Sequence, residues 1–189
     1  MKKLSGFFAL PIIVLIALVV FVGHLPIAFA DTAAEIDSAV DIALEKLYRE
    51  SPAAKELSKA AKGVLVFPNV IKAGLVIGGQ YGTGALRKEG KTTGYYKTVA
   101  ASYGLQAGAQ SFGYALFFLS ESSLEYLTKS KGWEIGVGPS IVIVDEGLAK
   151  SMTTTTAKED IYAFFFGQKG LMAGLGLQGS KITPITPDH

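Results

Sequence analysis

The chain contains no cysteine and has two histidines, His24 and His189. Without thiols it can form no disulfide, no thiol redox centre and no cysteine nucleophile. His24 lies in an N-terminal segment that we interpret below as a signal peptide, so the expected mature chain keeps His189 alone. A zinc site built on Cys and His, or a buried Ser-His-Asp triad, lacks the residues it needs. We therefore expect no metal, no cofactor and no enzymatic activity.

An excess of charge of either sign is also missing. The full sequence has 18 Lys and Arg residues against 16 Asp and Glu residues. Removing residues 1–30 takes away two lysines and leaves 16 charges of each sign. Because nucleic-acid-binding domains are typically basic, this balance gives no support to a nucleic-acid partner. Residues 31–189 are long and apolar enough for one domain with a hydrophobic core.

The first 30 residues have the pattern of a secretory signal peptide. Two lysines precede an apolar stretch over residues 7–22, and Ala28-Phe29-Ala30 supplies an A-x-A cleavage site before Asp31. This pattern predicts cleavage after Ala30 and a periplasmic or secreted protein. The alternative is an uncleaved membrane anchor, because about 20 apolar residues can span a bilayer. A bacterial lipoprotein needs a cysteine after the signal, so this chain is not expected to be one.

Residues 31–50 predict an amphipathic helix over Ala33–Glu50. Apolar residues from Ile36 to Leu47 recur at spacings of three and four, with acidic residues on the opposite side. The segment carries six acids against two bases. Because anionic lipid repels an acidic face, we expect this helix to dock on the rest of the fold rather than on a membrane. A second short helix is predicted to begin after Ser51.

From Gly63 onwards the sequence changes to short apolar runs bounded by Gly, Pro and Asn, which is typical of strands and hairpins. The predicted strands are Val64–Phe67, Gly74–Ile77, Gly82–Arg87, Tyr95–Ser102, Gly104–Gln110, Tyr114–Leu119, Gly136–Val144, Ile161–Phe166, Leu171–Leu177 and Lys181–Ile185. An internal helix is predicted over Ser120–Ser130, and a solvated loop over residues 145–156. The predicted fold class is α+β and predominantly antiparallel β, as a sandwich or a partly closed barrel.

Glycines alternate with large apolar residues between Gly63 and Gly113. A missing side chain lets a second backbone, a helix or an acyl chain approach the strand closely. We therefore expect a sheet built around a tight, glycine-lined interior.

A local excess of basic residues lies within residues 51–100, which carry eight bases against two acids. Each base contributes about 1 kcal/mol near an anionic membrane, and tyrosines favour the membrane interface. The alternative is that these bases neutralise the acidic helix within the fold. The candidate lipid-binding residues are Lys62, Lys72, Arg87, Lys88, Lys91, Tyr95, Tyr96 and Lys97.

Several motifs resemble the SYLF domain family. They are Ala61-Lys62-Gly63-Val64-Leu65-Val66-Phe67-Pro68, Lys72-Ala73-Gly74 leading to Gly78-Gly79-Gln80-Tyr81-Gly82-Thr83-Gly84, and the string from Ser102 to Gln110. Gly138-Pro139 and the run from Lys169 to Ile182 are similar to the secreted bacterial branch. SYLF domains also occur in eukaryotic actin-patch and phosphoinositide-binding proteins. The resemblance therefore implies lipid binding, with actin binding in some eukaryotic members.

Together these observations predict a non-enzymatic phospholipid-binding domain of the bacterial cell envelope. The expected partner is a phospholipid or a membrane surface, contacted through the glycine-lined apolar surface and the basic cluster. The alternative is a protein-interaction scaffold, similar to the actin-binding relatives, that carries no bound lipid.

Overall fold

The computed structural model describes residues 31–74, 77–103, 108–153, 155–170, 177 and 179–188. Its helices are α1 (Ala33–Glu50), α2 (Pro52–Ser58), α3 (Glu121–Lys129) and α4 (Glu146–Ser151), and its strands are β1 (Gly63–Gly74), β2 (Ile77–Lys88), β3 (Lys91–Tyr103), β4 (Gly108–Phe118), β5 (Trp133–Glu134), β6 (Ile141–Val144), β7 (Ile161–Gly170) and β8 (Lys181–Ile185). The predicted signal peptide, and the predicted strand over 171–177 apart from Leu177, lie outside the described residues.

The eight strands form one sheet in the order β5-β8-β3-β2-β1-β4-β7-β6. All neighbouring strands are antiparallel except β6, which runs parallel to β7. The sheet forms a half-barrel, which is the second of the two predicted forms. A two-residue turn joins β2 to β3, with Glu89 at φ 51° and Gly90 at φ 77°. Two consecutive positive φ angles are typical of a type I′ turn, which matches the twist of the flanking strands.

Alternate residues of the strands point to opposite faces of the sheet, and each face carries its own hydrophobic cluster. The first face packs against α1 and α2 through residues such as Val64 and Phe117, and we call it the α1 face. The opposite face packs against α3 and Trp133 through residues such as Leu65 and Phe118, and we call it the α3 face. The predicted class, mainly antiparallel β with an N-terminal and an internal helix, is confirmed.

Helix α1 docks on the sheet as its periodicity predicts. Its buried residues are Ile36, Val40, Ala43 and Leu47. The helix begins in a capping box, in which the Thr32 hydroxyl accepts from the Glu35 amide at 3.3 Å and the Thr32 amide donates to Glu35 Oε2 at 2.8 Å. Hydrogen bonds to the backbone and the side chain of Thr32 lower the pKa of Glu35. The next amide, that of Ala33, donates to the carbonyl of Asp188 at 3.1 Å, so Thr32 and Asp188 lie side by side.

Several sequence-based boundaries were wrong. The described parts of the predicted strands Gly104–Gln110 and Tyr114–Leu119 belong largely to one strand, β4, and residues 104–107 lie outside the described residues. Of the predicted strand Gly74–Ile77, Gly74 ends β1 and Ile77 begins β2, and residues 75 and 76 lie outside the described residues. Only Ile141–Val144 of the predicted strand Gly136–Val144 is extended, since Gly136 and Gly138 adopt positive φ angles of 106° and 105°. The predicted loop over 145–156 contains α4, whose first turn is capped by the Asp145 carboxylate accepting from the Leu148 amide at 2.7 Å.

Candidate functional site

Helix α1 covers only part of its face of the sheet. Just before the helix begins, the Thr83 hydroxyl donates to Asp31 Oδ2 at 2.5 Å. Ala85, two residues further along β2, is buried in the cluster beneath the helix. Since alternate residues share a face, Tyr81 lies on the same face as Thr83 and Ala85, beyond the start of the helix. Its side chain is 54% exposed. The strands therefore extend past α1 as uncovered sheet.

Three apolar side chains form a line across this uncovered sheet. Ile71 of β1 lies directly opposite Tyr81 of β2, and Tyr81 lies directly opposite Val99 of β3. Residues paired in this way point to the same face and contact each other. Ile71 is 55% exposed and Val99 is 41% exposed. We call Ile71, Tyr81 and Val99 the apolar row. Ile77, which is 68% exposed, lies on the same face four residues before Tyr81.

Lysines stand at both ends of the apolar row. On one side Ser111 lies opposite Ile71, and Lys169 lies opposite Ser111. On the other side Lys181 lies opposite Val99. Both lysines are exposed, and neither forms an ion pair within the described part of the chain. Glu134 lies beyond Lys181 on β5. The arrangement is an apolar centre with a cation on each side.

Three of the sequence-predicted candidates are engaged inside the fold. Arg87, whose side chain is 12% exposed, donates to Asp41 Oδ1 at 2.6 Å and to the Asp37 carbonyl at 3.0 Å. The Tyr95 hydroxyl donates to Asp37 Oδ2 at 3.0 Å, and its removal from water, together with the Asp37 carboxylate, raises the pKa of Tyr95. Tyr96 is buried on the α3 face, which raises its pKa. Arg87 and Tyr95 therefore hold α1 on the sheet.

The predicted lysines occupy three separate places. Lys88 and Lys91 flank the β2–β3 turn, and Lys62 precedes β1 at the same end of the sheet. Lys88 lies seven residues from Tyr81 along β2, a distance of about 23 Å. Lys72 lies on the α3 face opposite Gln80 and Gln110. Lys97 lies on the α1 face opposite Thr83, two residues before Val99, and is half-buried.

The sequence-predicted basic cluster is therefore not one surface. The apolar row and its two lysines were missed because they come from five strands, and only the strand register brings them together. The one sequence signal that pointed to them is the alternation of apolar residues in glycine-rich strands.

Glycines in the strands allow other groups of the protein to approach the sheet closely. A Cβ added at Gly84 would lie 2.0 Å from the Val66 carbonyl oxygen and 2.9 Å from Phe67 Cδ1. A Cβ at Gly82 would lie 2.8 Å from Val70 Cγ2. Phe67 and Val70 are fully buried. Across the described residues, the chain's own side chains fill the glycine-lined space on the α3 face.

Three buried polar atoms on the α3 face have no hydrogen-bond partner among the described residues: Thr98 Oγ1, Gln110 Oε1 and the Tyr114 hydroxyl. Burial raises the pKa of Tyr114. Tyr114 is therefore neutral at physiological pH. Within the described ranges, no group of three His, Asp or Glu residues is placed to hold a metal ion.

Comparison with known proteins finds a family match over part of the chain. Residues 99–186 match the family model described as Ysc84, Las17-binding protein actin regulator. This part of the chain is similar to the SYLF domain family. The match includes Val99 of the apolar row and both flanking lysines, and it confirms the resemblance that the sequence motifs indicated.

A curated bacterial protein is also similar to this chain. Beta cell expansion factor A of Aeromonas veronii is 29% identical over 148 residues, which are 77% of this chain and 54% of that protein. The chain thus spans about half the length of the curated relative it matches. In the described residues, no helix has both the length and the apolar character needed to cross a membrane.

Proposed function

We propose that this SYLF-like domain binds anionic phospholipid surfaces of the bacterial cell envelope and catalyses no reaction. The observation that carries the proposal is the apolar row with Lys169 and Lys181 at its ends. Adjacent exposed apolar side chains rimmed by polar residues are typical of a surface that contacts a protein or a membrane. Two cations beside them favour a negatively charged membrane, because lysines are attracted to its phosphates.

The size of the row predicts weak and reversible binding. Full burial of one such side chain contributes about 1.5–3 kcal/mol, so the exposed halves of Ile71, Tyr81 and Val99 contribute about 1 kcal/mol each. The two lysines add about 1 kcal/mol each at an anionic surface. The total of about 5 kcal/mol is comparable to the membrane affinity of a single myristoyl chain. We therefore expect a peripheral protein that dissociates at high salt, where the lysine contribution is screened.

The proposal includes export to the envelope with cleavage after Ala30. The support for it is the signal pattern of the first 30 residues. Intact mass measurement of the chain purified from a bacterial host tests this directly. A mass that begins at Asp31 supports export, whereas an intact N-terminus overturns the cleavage.

Vesicle sedimentation tests the lipid proposal. The chain should sediment with phosphatidylglycerol vesicles at low salt and much less with phosphatidylcholine vesicles. Charge reversal in Lys169→Glu/Lys181→Glu should weaken binding more than about 30-fold, since each lysine contributes about 1 kcal/mol and each glutamate is repelled. The matched control, Lys88→Glu/Lys91→Glu, changes net charge equally at the far end of the sheet and should retain most binding.

Two results would contradict this assignment. A greater loss in the control than in Lys169→Glu/Lys181→Glu would place lipid at the β2–β3 turn. Equal sedimentation with both vesicle types would remove the role of charge. If neither vesicle binds, native mass spectrometry after organic extraction separates a tightly held internal lipid from a protein scaffold without lipid.

A further inference from the structure

Strand β6 forms one edge of the sheet. Among the described residues it pairs with β7 alone, from Ile141 opposite Ile161 to Val144 opposite Phe164. Its other edge takes part in none of the backbone hydrogen bonds recorded among the described residues. The strand reads Ile-Val-Ile-Val and contains no lysine or proline, which are the residues that usually protect an edge from pairing. The β6 edge is therefore an apolar strand with backbone groups ready to pair.

An apolar pocket of about 420 Å³ adjoins this edge. The two residues of β6 that face it are Ile141 and Ile143, and Ile143 is 46% exposed. Ile135, Pro139 and Leu177 complete its apolar lining. The volume lies within the range of about 300–1,000 Å³ that small ligand pockets usually have. It is large enough to receive one or two side chains from a strand added beside β6.

Acidic residues surround the edge. Glu159 and Asp160 precede β7 at the end where β6 begins, and the Ser140 hydroxyl donates to Glu159 Oε2 at 3.4 Å. Asp145 follows β6 at its other end. Counting the adjoining Lys158 and Lys150 together with Glu146, the chain segment at each end of β6 has two acids against one base. An anionic lipid is repelled by this surface, whereas a partner with basic residues is attracted to it.

We propose that the β6 edge binds an extended apolar peptide flanked by basic residues, as a ninth strand of the sheet. Backbone hydrogen bonds to β6 supply affinity, and alternate side chains of the peptide enter the pocket, as in other cases of strand addition. Basic residues on either side of the peptide meet Asp145 at one end and Glu159 and Asp160 at the other. This site is separate from the apolar row and does not depend on lipid binding.

Fluorescence anisotropy tests the proposal with a defined probe. The probe is a fluorescein-labelled peptide of six alternating valines and threonines with two lysines at each end. The full chain should bind it at least tenfold more tightly than a control peptide in which prolines replace two valines. Ile143→Lys should weaken binding at least tenfold. Its matched control, Ile42→Lys, changes an isoleucine on α1 that is 67% exposed, and should bind as the unchanged chain does.

A second variant separates charge from folding. Glu159→Lys should weaken binding of the lysine-flanked peptide and strengthen binding of a glutamate-flanked peptide of the same length. A merely structural role of Glu159 cannot produce these opposite effects. Equal binding of the probe and the proline peptide would overturn the proposal. So would unchanged binding by Ile143→Lys. If Ile143→Lys instead weakens binding to phosphatidylglycerol vesicles, the edge contacts lipid and the proposal is wrong.

Discussion

The apolar row allows a prediction that separates the apolar contribution to membrane binding from the charge contribution. In Ile71→Thr/Val99→Thr, both side chains keep the branched shape that favours a strand. Both lose much of the apolar surface that would enter a bilayer. Ile71 is 55% exposed and Val99 is 41% exposed, so neither contributes much to the core. The variant should therefore fold normally and bind vesicles less.

The expected loss follows from the exposed fractions. Burying a whole Ile or Val side chain contributes about 1.5–3 kcal/mol, and about half of each side chain is available here. The double variant should lose about 2 kcal/mol of binding free energy, or about 30-fold in affinity for phosphatidylglycerol vesicles. Its salt dependence should stay the same, because Lys169 and Lys181 are unchanged.

The assay is vesicle titration with a matched control. Ile42→Thr makes the same replacement as Ile71→Thr, at an isoleucine on α1 that is 67% exposed and lies away from the row. It should bind vesicles as the unchanged chain does, and all three proteins should have the same thermal midpoint. An affinity change below threefold in the double variant, or an equal loss in Ile42→Thr, would refute the role of the row.

Further predictions concern stability. Arg87→Ala removes the ion pairs that hold α1 on the sheet and should lower the free energy of unfolding in urea by about 2 kcal/mol. The control, Arg49→Ala, breaks an exposed ion pair and should change the free energy of unfolding by less than about 0.5 kcal/mol. Equal effects of the two variants would show that Arg87 does not fix the helix. Gly84→Ala should destabilise the fold by about 1–3 kcal/mol, because the added Cβ would lie 2.0 Å from the Val66 carbonyl oxygen. Gly79→Ala should not, because its Cβ would lie 3.6 Å from the Ala100 carbonyl oxygen, an ordinary contact distance. Two stable variants would contradict the close strand contact at Gly84. The raised pKa of Tyr114 means that the folded state favours the neutral hydroxyl. Its contribution to the free energy of unfolding is therefore complete below pH 10, the ordinary tyrosine value, and is lost as the pH rises above it. Unfolding measured at pH 9–11.5 should show this loss of stability, and Tyr114→Phe should reduce the loss.

Local pattern was enough to predict the secondary structure in outline. Helix α1 has a strong 3.6-residue period, and the glycine-bounded apolar runs marked the strands. Helix α4 was missed because it is six residues long and contains Gly147, so no periodicity develops. Asp145, which caps it, was read as part of a loop. A short helix of this kind is fixed by its cap and its packing rather than by its composition.

The candidate site was harder to predict because it depends on contacts between distant residues. Arg87 counts as a free cation in the sequence, but its partner Asp37 lies 50 residues earlier. Exposure of Tyr81 depends on where α1 begins, and its neighbours depend on the register of β1 and β3. Composition located a basic region, but it could not separate the basic residues that form contacts within the fold from those that face solvent.

The contact between Thr32 and Asp188 has a consequence for how the domain tolerates rearrangement. Since the Ala33 amide donates to the Asp188 carbonyl, a short linker can join position 188 to position 31 without stretching the backbone. New ends can then be opened at Glu89 and Gly90, in an exposed turn where the strands are joined by two residues. Such sites accept circular permutation well. The permuted chain would begin with β3 and keep every strand pair, giving a way to attach a fluorophore or surface tether at the end of the sheet opposite the apolar row.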